Sequence, residues 1–330
     1  MADLSGADLA AGGLGRQVAL ISSLSFEPRS LSAAAALSQG PLKRWVCLKN
    51  RDIEIDVGEL QGQAGRLAER AGIGLELVVT ERRHPLQLAD RLARLIEETR
   101  GSDLSWVIDV STMTHETALM IVSAIAELEP EWRDLAFVYN NAEQYSHNES
   151  DRERRWVSRG IQGVRSVVGY SGLWAPGEPA VLVALPGFDL ERVQRIVEEI
   201  EPERVIVGVA RPGNDAHDWM YERNLEVAKA ITSMRRGSTF EYEALDPMDA
   251  ARHVAVALAN VAQNVIVAPL NTKISTVAIG LLARLNPRWQ VCYAPALVYN
   301  LHYATASDVF QIHAHAELRA VVGALPTAAS

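Results

Sequence analysis

Residues Leu104–Thr117 read LSWVIDVSTMTHET, and residues Asn264–Ser275 read NVIVAPLNTKIS. In each stretch a short apolar run rich in β-branched residues is followed by hydroxyl-bearing residues and then by a helical pattern. The two stretches align without a gap, so that Val107 meets Val265 and Thr114 meets Thr272. A buried strand that leads directly into a helix is the building unit of a parallel α/β sheet. Its recurrence predicts an internal repeat.

The same alternation extends outward from these strands through both halves of the chain. We predict an α/β fold of two tandem Rossmann-like repeats, each a mainly parallel five-stranded sheet flanked by helices. The repeats are expected over residues 16–146 and 180–330, the second with a C-terminal tail. Residues 1–15 are expected to be a flexible lead-in. Residues 147–179, which contain the charged run Asp151–Arg155, are expected to be a linker or small insert.

Composition narrows the class of protein. The chain has 330 residues, a net charge of −9 and a pI of about 5.5. Proteins that bind duplex nucleic acid more often carry a basic surface, so no such partner is expected. No run has the roughly 18 apolar residues of a membrane span, and no targeting segment is recognised. Cys47 and Cys292 lie in apolar runs, and two buried thiols fit a cytoplasmic protein without disulfides.

Ligands of open parallel sheets bind outside the carboxyl ends of the strands. Polar residues collect at those positions in both predicted repeats, and two similar repeats would pack as a pseudo-dimer with these loops facing each other. We therefore predict a ligand site built from the loops that follow the first and fourth strands of each repeat. The candidate residues are Ser22, Ser25, Glu27, Arg29, Ser111, Thr112, Thr114, Gly187, Phe188, Asn271, Thr272, Lys273 and Ser275.

Lys273 is the most informative of these candidates. Thr112, Thr114 and Thr272 precede helices, and helix capping explains such residues as well as ligand binding does. Capping does not explain a lysine, because a cation at a helix N-terminus opposes the helix dipole. Free N–H groups and positive charge at that end suit phosphate. We therefore predict that Lys273 contacts a phosphate-bearing ligand.

Three other candidates carry a functional and a structural interpretation. Arg29 follows the first strand and could bind phosphate, or form an exposed ion pair with Glu27. Gly187 would let the backbone approach a ligand, although a tight turn is the simpler interpretation. Phe188 could stack on a base, with Trp219 a candidate of lower rank.

Familiar catalytic and cofactor motifs are absent from the sequence. There is no GxGxxG after the first strand, no GxxxxGK[ST], no GxSxG and no HExxH. Nicotinamide cofactors in the usual mode and P-loop hydrolysis are therefore disfavoured, and no cofactor is expected. His313 and His315 would share a face if both lay on one strand, but the pair is a weak metal signal, and no metal is expected.

The polar loop Ser22–Arg29, together with the loops Ser111–Glu116 and Asn271–Thr276 before the fourth helices, resembles CARF-type domains. Two such units in one chain look like tandem CARF or SAVED sensors. This resemblance implies binding of a cyclic oligonucleotide second messenger in prokaryotic antiviral defence, and some family members cleave that messenger. Such sensors are usually fused to an effector, for which this chain has no room. The partners implied are a nucleotide-type ligand, an effector protein encoded nearby and a second copy of the chain.

Two other classes of function remain open at the level of the sequence. A Rossmann-like hydrolase, transferase or ring nuclease would use Glu27, Glu116 or Asp109 as base or nucleophile. No two of these carboxylates are close in sequence, and the loops hold more hydroxyls than acids. A scaffold subunit that has lost its site would explain why the loops of the two halves are not identical.

Overall fold

A computed structural model describes residues 4–5, 17–53, 55–128, 134–143, 156–212, 218–302, 304–305, 307 and 309–326. The chain divides into two compact units, each made of segments that are not contiguous in sequence. Unit 1 comprises Met1–Thr114, Leu128–Trp156 and Asn300–Glu317. Unit 2 comprises His115–Glu127, Val157–Tyr299 and Leu318–Ser330.

Strands and helices alternate along most of the described chain. The strands are β1 (Leu4–Ser5), β2 (Val18–Leu24), β3 (Leu42–Asn50), β4 (Leu75–Thr80), β5 (Ser105–Asp109), β6 (Leu135–Asn140), β7 (Ser158–Ile161), β8 (Arg165–Ser166), β9 (Ala180–Leu185), β10 (Arg204–Arg211), β11 (Gly237–Glu243), β12 (Asn264–Pro269), β13 (Trp289–Tyr293), β14 (Ala296–Tyr299) and β15 (Val309–Ala314). The helices are α1 (Ser32–Leu37, after a 3-10 turn at Pro28–Leu31), α2 (Gly58–Arg70), α3 (Pro85–Glu98), α4 (His115–Leu128), α5 (Leu190–Ile200), α6 (Asp218–Met234), α7 (Pro247–Leu258), α8 (Lys273–Arg284) and α9 (His315–Gly323).

Unit 1 contains a seven-stranded sheet in the order β1-β15-β6-β5-β2-β3-β4. The five strands from β6 to β4 are parallel, whereas β15 pairs antiparallel with β6 and β1 antiparallel with β15. Strand β2 is buried along its whole length because it lies inside the sheet. Its core contains Leu20 and Trp45 packed with Leu37 of α1 and Leu67 of α2.

Unit 2 contains a six-stranded sheet in the order β11-β10-β9-β12-β13-β8. The five strands from β11 to β13 are parallel, and β8 pairs antiparallel with β13. A separate antiparallel pair is formed by β7 and β14. The central strands β9 and β12 are buried throughout, which explains their continuous apolar sequences.

The structure shows an α/β fold with parallel strands and flanking helices, but the prediction of five strands in each sheet was too low. The added strands are short or lie late in the chain, and their antiparallel edges lack the strand–helix alternation that revealed the others. His313 lies on β15, whereas His315 begins α9, so the two do not alternate on one strand. No group of potential metal ligands occurs among the described residues.

The compact units also differ from the predicted repeat boundaries. Strand β15 was assigned to the tail of the second repeat, but its pairing with β6 places it in unit 1. Helix α4 was assigned to the first repeat, but most of it belongs to unit 2. Strands β7 and β8 lie within the predicted linker and are part of unit 2, while Asp151–Arg155 lies outside the described residues. Of the lead-in, only Leu4 and Ser5 are described, and the tail is described to Pro326.

Two further sequence expectations concern the cysteines and the membrane. Cys47 and Cys292 are both free and buried, and burial raises their pKa values to about 11 and about 12 respectively. In the described part of the chain, no helix combines the length and the hydropathy that a bilayer span requires.

Candidate functional site

The strand order of both sheets identifies where a ligand site can form. Numbered within each half, the parallel strands follow the order 3-2-1-4-5. The first and fourth strands are therefore neighbours, and the connections that leave them run in opposite directions along the sheet. The crevice beyond their carboxyl ends is the usual ligand position of doubly wound folds. It follows β2 and β5 in unit 1, and β9 and β12 in unit 2.

In unit 1, Ser22 lies within β2 and Ser25 directly follows it. The hydroxyl of Ser22 is buried and accepts a hydrogen bond from Trp45 Nε1 at 2.9 Å. Ser25 is half-buried, and its carbonyl lies 3.5 Å from the hydroxyl of Ser30. Ser22 thus serves core packing rather than the crevice.

Glu27 and Arg29 form a buried ion pair, which corrects the expectation of an exposed one. Arg29 Nε donates to Glu27 Oε2 at 2.6 Å, and both side chains are less than a tenth exposed. Arg29 Nη1 also donates to the carbonyl of Asn140 at 2.9 Å, at the end of β6. A buried pair of this kind is costly to break, because either charge left alone is uncompensated. Both groups are therefore committed to the fold of unit 1.

The residues after β5 form a buried hydrogen-bond chain. Asp109 Oδ1 accepts from both the backbone N–H, at 2.9 Å, and the hydroxyl of Ser111. The Ser111 oxygen accepts in turn from the backbone N–H of Asn140 at 2.8 Å. Burial raises the pKa of Asp109 to about 6, although the bonds from Ser111 and the charge of Arg29 oppose that rise. Ser111 thus joins β5 to β6 and is not exposed to the crevice.

The two threonines of this loop differ in their surroundings. Thr112 Oγ1 donates to the carbonyl of Ser23 at 2.9 Å, which joins the loops after β2 and β5. Thr114 is half-buried immediately before α4. Most of the polar side chains expected to bind a ligand in unit 1 are thus hydrogen-bonded within that unit.

In unit 2 the corresponding candidates lie at the start of α8. Thr272 caps the helix, accepting from the backbone N–H of Ser275 at 3.2 Å. The Ser275 hydroxyl donates back to the Thr272 carbonyl at 2.9 Å. Thr272 therefore has the capping role that the sequence left open. Lys273 is the first residue of α8 and is half-buried.

The loops after β9 and β12 meet at Gly187 and Asn271. Gly187 has a φ of +55°, and a Cβ built on it would lie 2.7 Å from Asn271 Oδ1. Asn271 Nδ2 donates to the hydroxyl of Tyr242 at 2.7 Å. Both the left-handed backbone and this close approach require glycine at position 187. Phe188 stacks on Trp219 with ring centroids 5.6 Å apart, which combines two predicted candidates in one aromatic surface.

Arg192, on the first turn of α5, lies buried at the same edge of unit 2. Its Nε donates to the carbonyl of Ala294 at 2.7 Å, and its guanidinium lies 4.8 Å from the centre of the Tyr293 ring. Asp189 Oδ2 is 3.5 Å from its Nη1, whereas Nη2 is buried and has no hydrogen-bond partner in the described ranges of the chain. A buried charged donor with an unused N–H group is unusual, because desolvation is normally compensated.

His115 adds a third nitrogen-bearing side chain to this edge. Its Nδ1 lies 2.7 Å from Thr276 Oγ1 on the first turn of α8, and its ring centroid is 6.3 Å from that of Tyr293. Burial, followed by the charges of Lys273 and Arg192, lowers the pKa of His115 well below its ordinary value. His115 thus lies beside the first turn of α8 as an imidazole whose pKa is lowered by burial and by two cations, Lys273 and Arg192.

Glu116, the other carboxylate considered for catalysis, is bound by Arg165. Arg165 Nε and Nη2 donate to its two carboxylate oxygens at 2.8 and 2.7 Å. Such a bidentate pair has strong, directional charge-assisted bonds. Glu116 is thus a structural anchor that connects α4 to β8.

The predicted set of site residues did not include Arg192, His115, Thr276 or Tyr293, although the loops quoted from the sequence contain His115 and Thr276. Arg192 could have been found, because it is a cation on the first turn of a helix after a strand, which is the same anomaly that singled out Lys273. The sequence had no comparable signal for His115, which reaches Thr276 only because α4 packs in unit 2.

Comparison with known proteins adds no family to this description. No protein-family model matches the chain, and no curated protein matches it at a significant level.

Proposed function

We propose that this protein binds a phosphate-bearing nucleotide at the carboxyl edge of the unit 2 sheet, beside the first turn of α8. The observation that carries the proposal is Arg192, a buried guanidinium whose Nη2 has no hydrogen-bond acceptor among the residues that the structure describes. A phosphate oxygen would supply that acceptor and would meet the N-terminal charge of α8 and Lys273 in the same region.

The aromatic residues support a nucleotide rather than a bare anion. Phe188, on the loop after β9, stacks on Trp219 at the start of α6, and Tyr293 lies under the Arg192 guanidinium. Aromatic faces bind bases by stacking, with little dependence on sequence. On the resemblance to CARF and SAVED domains, we propose a cyclic oligonucleotide second messenger as the ligand. We further propose a sensor or subunit role in antiviral defence.

The test is a calorimetric titration of the purified protein with a panel of phosphate ligands. The panel contains cyclic di-, tri- and tetra-adenylate, their linear counterparts, adenosine monophosphate and inorganic phosphate. We expect at least one nucleotide to bind and inorganic phosphate to bind more weakly, because it offers no base to stack. A protein that binds no member of the panel favours the scaffold alternative.

The enzymatic alternative is disfavoured by the two buried ion pairs. Glu27 and Glu116 are both held by arginines, so neither is an available base. We expect the nucleotides to be recovered intact after prolonged incubation, as measured by chromatography. Rapid cleavage that is abolished by Glu27→Gln or Glu116→Gln would instead support a hydrolase or ring nuclease.

A further inference from the structure

The bonding of Thr276 determines which nitrogen of His115 carries a proton. Thr276 Oγ1 lies 3.0 Å from the carbonyl of Thr272 and 3.3 Å from that of Pro269, and both carbonyls can only accept. A hydroxyl that donates to either carbonyl has no second proton and can only accept at its remaining contact, which is His115 Nδ1 at 2.7 Å. We therefore assign the donor role in that contact to the imidazole.

The electrostatic surroundings keep the same ring neutral. His115 is 5% exposed, and the charged groups that act on it are Lys273 of α8 and Arg192 of α5. Tyr293 of β13 lies beside the ring. Burial and two nearby cations lower the pKa of His115 well below its ordinary value. A neutral ring with its proton on Nδ1 has an unprotonated Nε2, which is a hydrogen-bond acceptor.

Nε2 of His115 is therefore a hydrogen-bond acceptor near two donor side chains, Lys273 and Arg192. Within the described part of the chain, the His115 imidazole has a hydrogen-bond partner only at Nδ1. Lys273 and Arg192 can only donate. Arg192 Nη2 has no hydrogen-bond partner among the described residues. A ligand that pairs with both Arg192 and His115 must present an anionic acceptor and, close to it, a hydrogen-bond donor. A ribonucleotide has both, because its phosphate adjoins a ribose hydroxyl and its base carries an exocyclic amine.

We infer that His115 is a specificity residue whose Nε2 accepts a hydrogen bond from a hydroxyl or amino group of the ligand. This inference rests on the proposed function, since it concerns the same edge of unit 2. It assigns to Thr276 a positioning role, because Thr276 fixes the tautomer without contacting the ligand. The site then distinguishes nucleotides by a neutral donor as well as by charge.

The protonation state can be measured without any ligand. Two-bond ¹H–¹⁵N spectra of histidine-labelled full-length protein at pH 7, with the ring assigned by its loss in His115→Phe, report each nitrogen of the imidazole. We expect a neutral ring protonated at Nδ1, and a shift toward mixed tautomers in Thr276→Val. A ring protonated at Nε2, or at both nitrogens, would overturn the inference whether or not a nucleotide binds.

The ligand role is measured with the tightest-binding cyclic adenylate of the panel. We expect His115→Phe to weaken it about 5- to 20-fold, the effect of losing one buried hydrogen bond. His84→Phe serves as the control, because the His84 side chain in unit 1 is exposed, and it is expected to leave the affinity unchanged. Thermal melts of both variants report whether the fold is retained.

Two ligand analogues identify the donor group. If a ribose hydroxyl donates, the 2′-deoxy analogue should bind the parent protein more weakly than the ribonucleotide does, by the same factor as His115→Phe. The His115→Phe variant should bind the two ligands with equal affinity. If the base amine donates, the inosine analogue should show that pattern instead. Full additivity with both analogues would overturn the ligand role. A parent protein that binds none of the panel would contradict the proposed function itself, while the tautomer measurement stands separately.

Discussion

At the scale of single residues, the structure assigns charged groups of similar sequence context to different roles. Arg29 and Lys273 both follow strands, and both were expected to bind phosphate. In the structure, however, Arg29 forms an ion pair with Glu27 and a hydrogen bond with the carbonyl of Asn140. Arg192 is equally buried but keeps one nitrogen without a partner. Whether an arginine keeps an unused nitrogen depends on which carboxylate the fold places beside it. The sequence alone does not show that placement.

Asp109 makes the stability of unit 1 depend on pH. Its pKa is raised from 3.8 to about 6 by burial, so the folded state holds a proton that the unfolded state has lost between those values. The free energy of unfolding should therefore fall as pH rises from about 4 to 6, and it should stay lower above pH 6. A pKa shift of this size corresponds to about 3 kcal/mol.

Asp109→Asn cannot ionise and should remove that fall. We expect the difference in unfolding free energy between pH 4.5 and pH 7.5 to shrink by about 2 kcal/mol in urea denaturation. Asp90→Asn, an exposed position on α3, is the control and should keep the parental pH profile. Parallel pH profiles for Asp109→Asn and the parent would show that the carboxyl is ionised in the fold throughout.

At the scale of elements, the packing of α4 against α8 brings His115 into the candidate site. The two helices approach closely at Gly280, where an added Cβ would lie 3.0 Å from both Leu119 Cδ2 and the hydroxyl of Tyr170. The Tyr170 hydroxyl also donates to the carbonyl of Leu119 at 3.0 Å, which leaves little freedom for it to move. A glycine inside a helix, ordinarily unfavourable, is explained here by contact.

Gly280→Ala should therefore destabilise the protein by about 1–3 kcal/mol, because the neighbouring side chains must shift. Gly65→Ala offers a matched control, since Gly65 is also within a helix but nothing lies within 4 Å of its added Cβ. That variant should be neutral or more stable by about 0.5–1 kcal/mol. Equal effects of the two substitutions in chemical denaturation would contradict close packing of α4 and α8.

The elements also show how far sequence reasoning reaches. In the described chain, the ten parallel strands and the eight α-helices that connect them were recognisable, because apolar runs and helical periodicity are local signals. Strand β15 was missed because its pairing with β6 joins residues far apart in sequence. The candidate site was found where it depends on helix ends, as at Lys273, and missed where it depends on packing, as at His115.

At the scale of the whole molecule, both units depend on segments that are distant in the chain. Unit 1 takes β15 from beyond residue 300, and unit 2 takes most of α4 from within the first half. Phe310 of β15 is 2% exposed and belongs to the core of unit 1, whereas its neighbour Val309 is 43% exposed. The late strand therefore completes the unit 1 core rather than ending the second half.

Phe310→Ala should destabilise unit 1 by about 3–5 kcal/mol, as expected for removal of a core aromatic ring. Val309→Ala on the same strand should change stability by less than about 0.5 kcal/mol. Hydrogen exchange at the backbone amides of β6 should accelerate in the first variant and not in the second. Unchanged protection of β6 in Phe310→Ala would show that β15 does not contribute to that core.

The proposed function of the molecule depends on Lys273. A charge-assisted hydrogen bond contributes about 1.5–3 kcal/mol, or roughly a 10- to 100-fold change in affinity. Lys273→Ala should weaken nucleotide binding by that factor without lowering the melting temperature of the empty protein, because it removes a cation from a helix N-terminus. Lys273→Arg should recover only part, since the two side chains present different donor geometries.

The most direct measurement is calorimetric titration of the tightest-binding cyclic adenylate into Lys273→Ala and into Lys229→Ala. Lys229 is an exposed lysine of α6 in the same unit, so the two variants lose the same charge at different places. The account predicts a 10- to 100-fold loss of affinity for Lys273→Ala and parental affinity for Lys229→Ala. Equal affinities of the two variants, or an early melt of empty Lys273→Ala, would contradict a phosphate site at the start of α8.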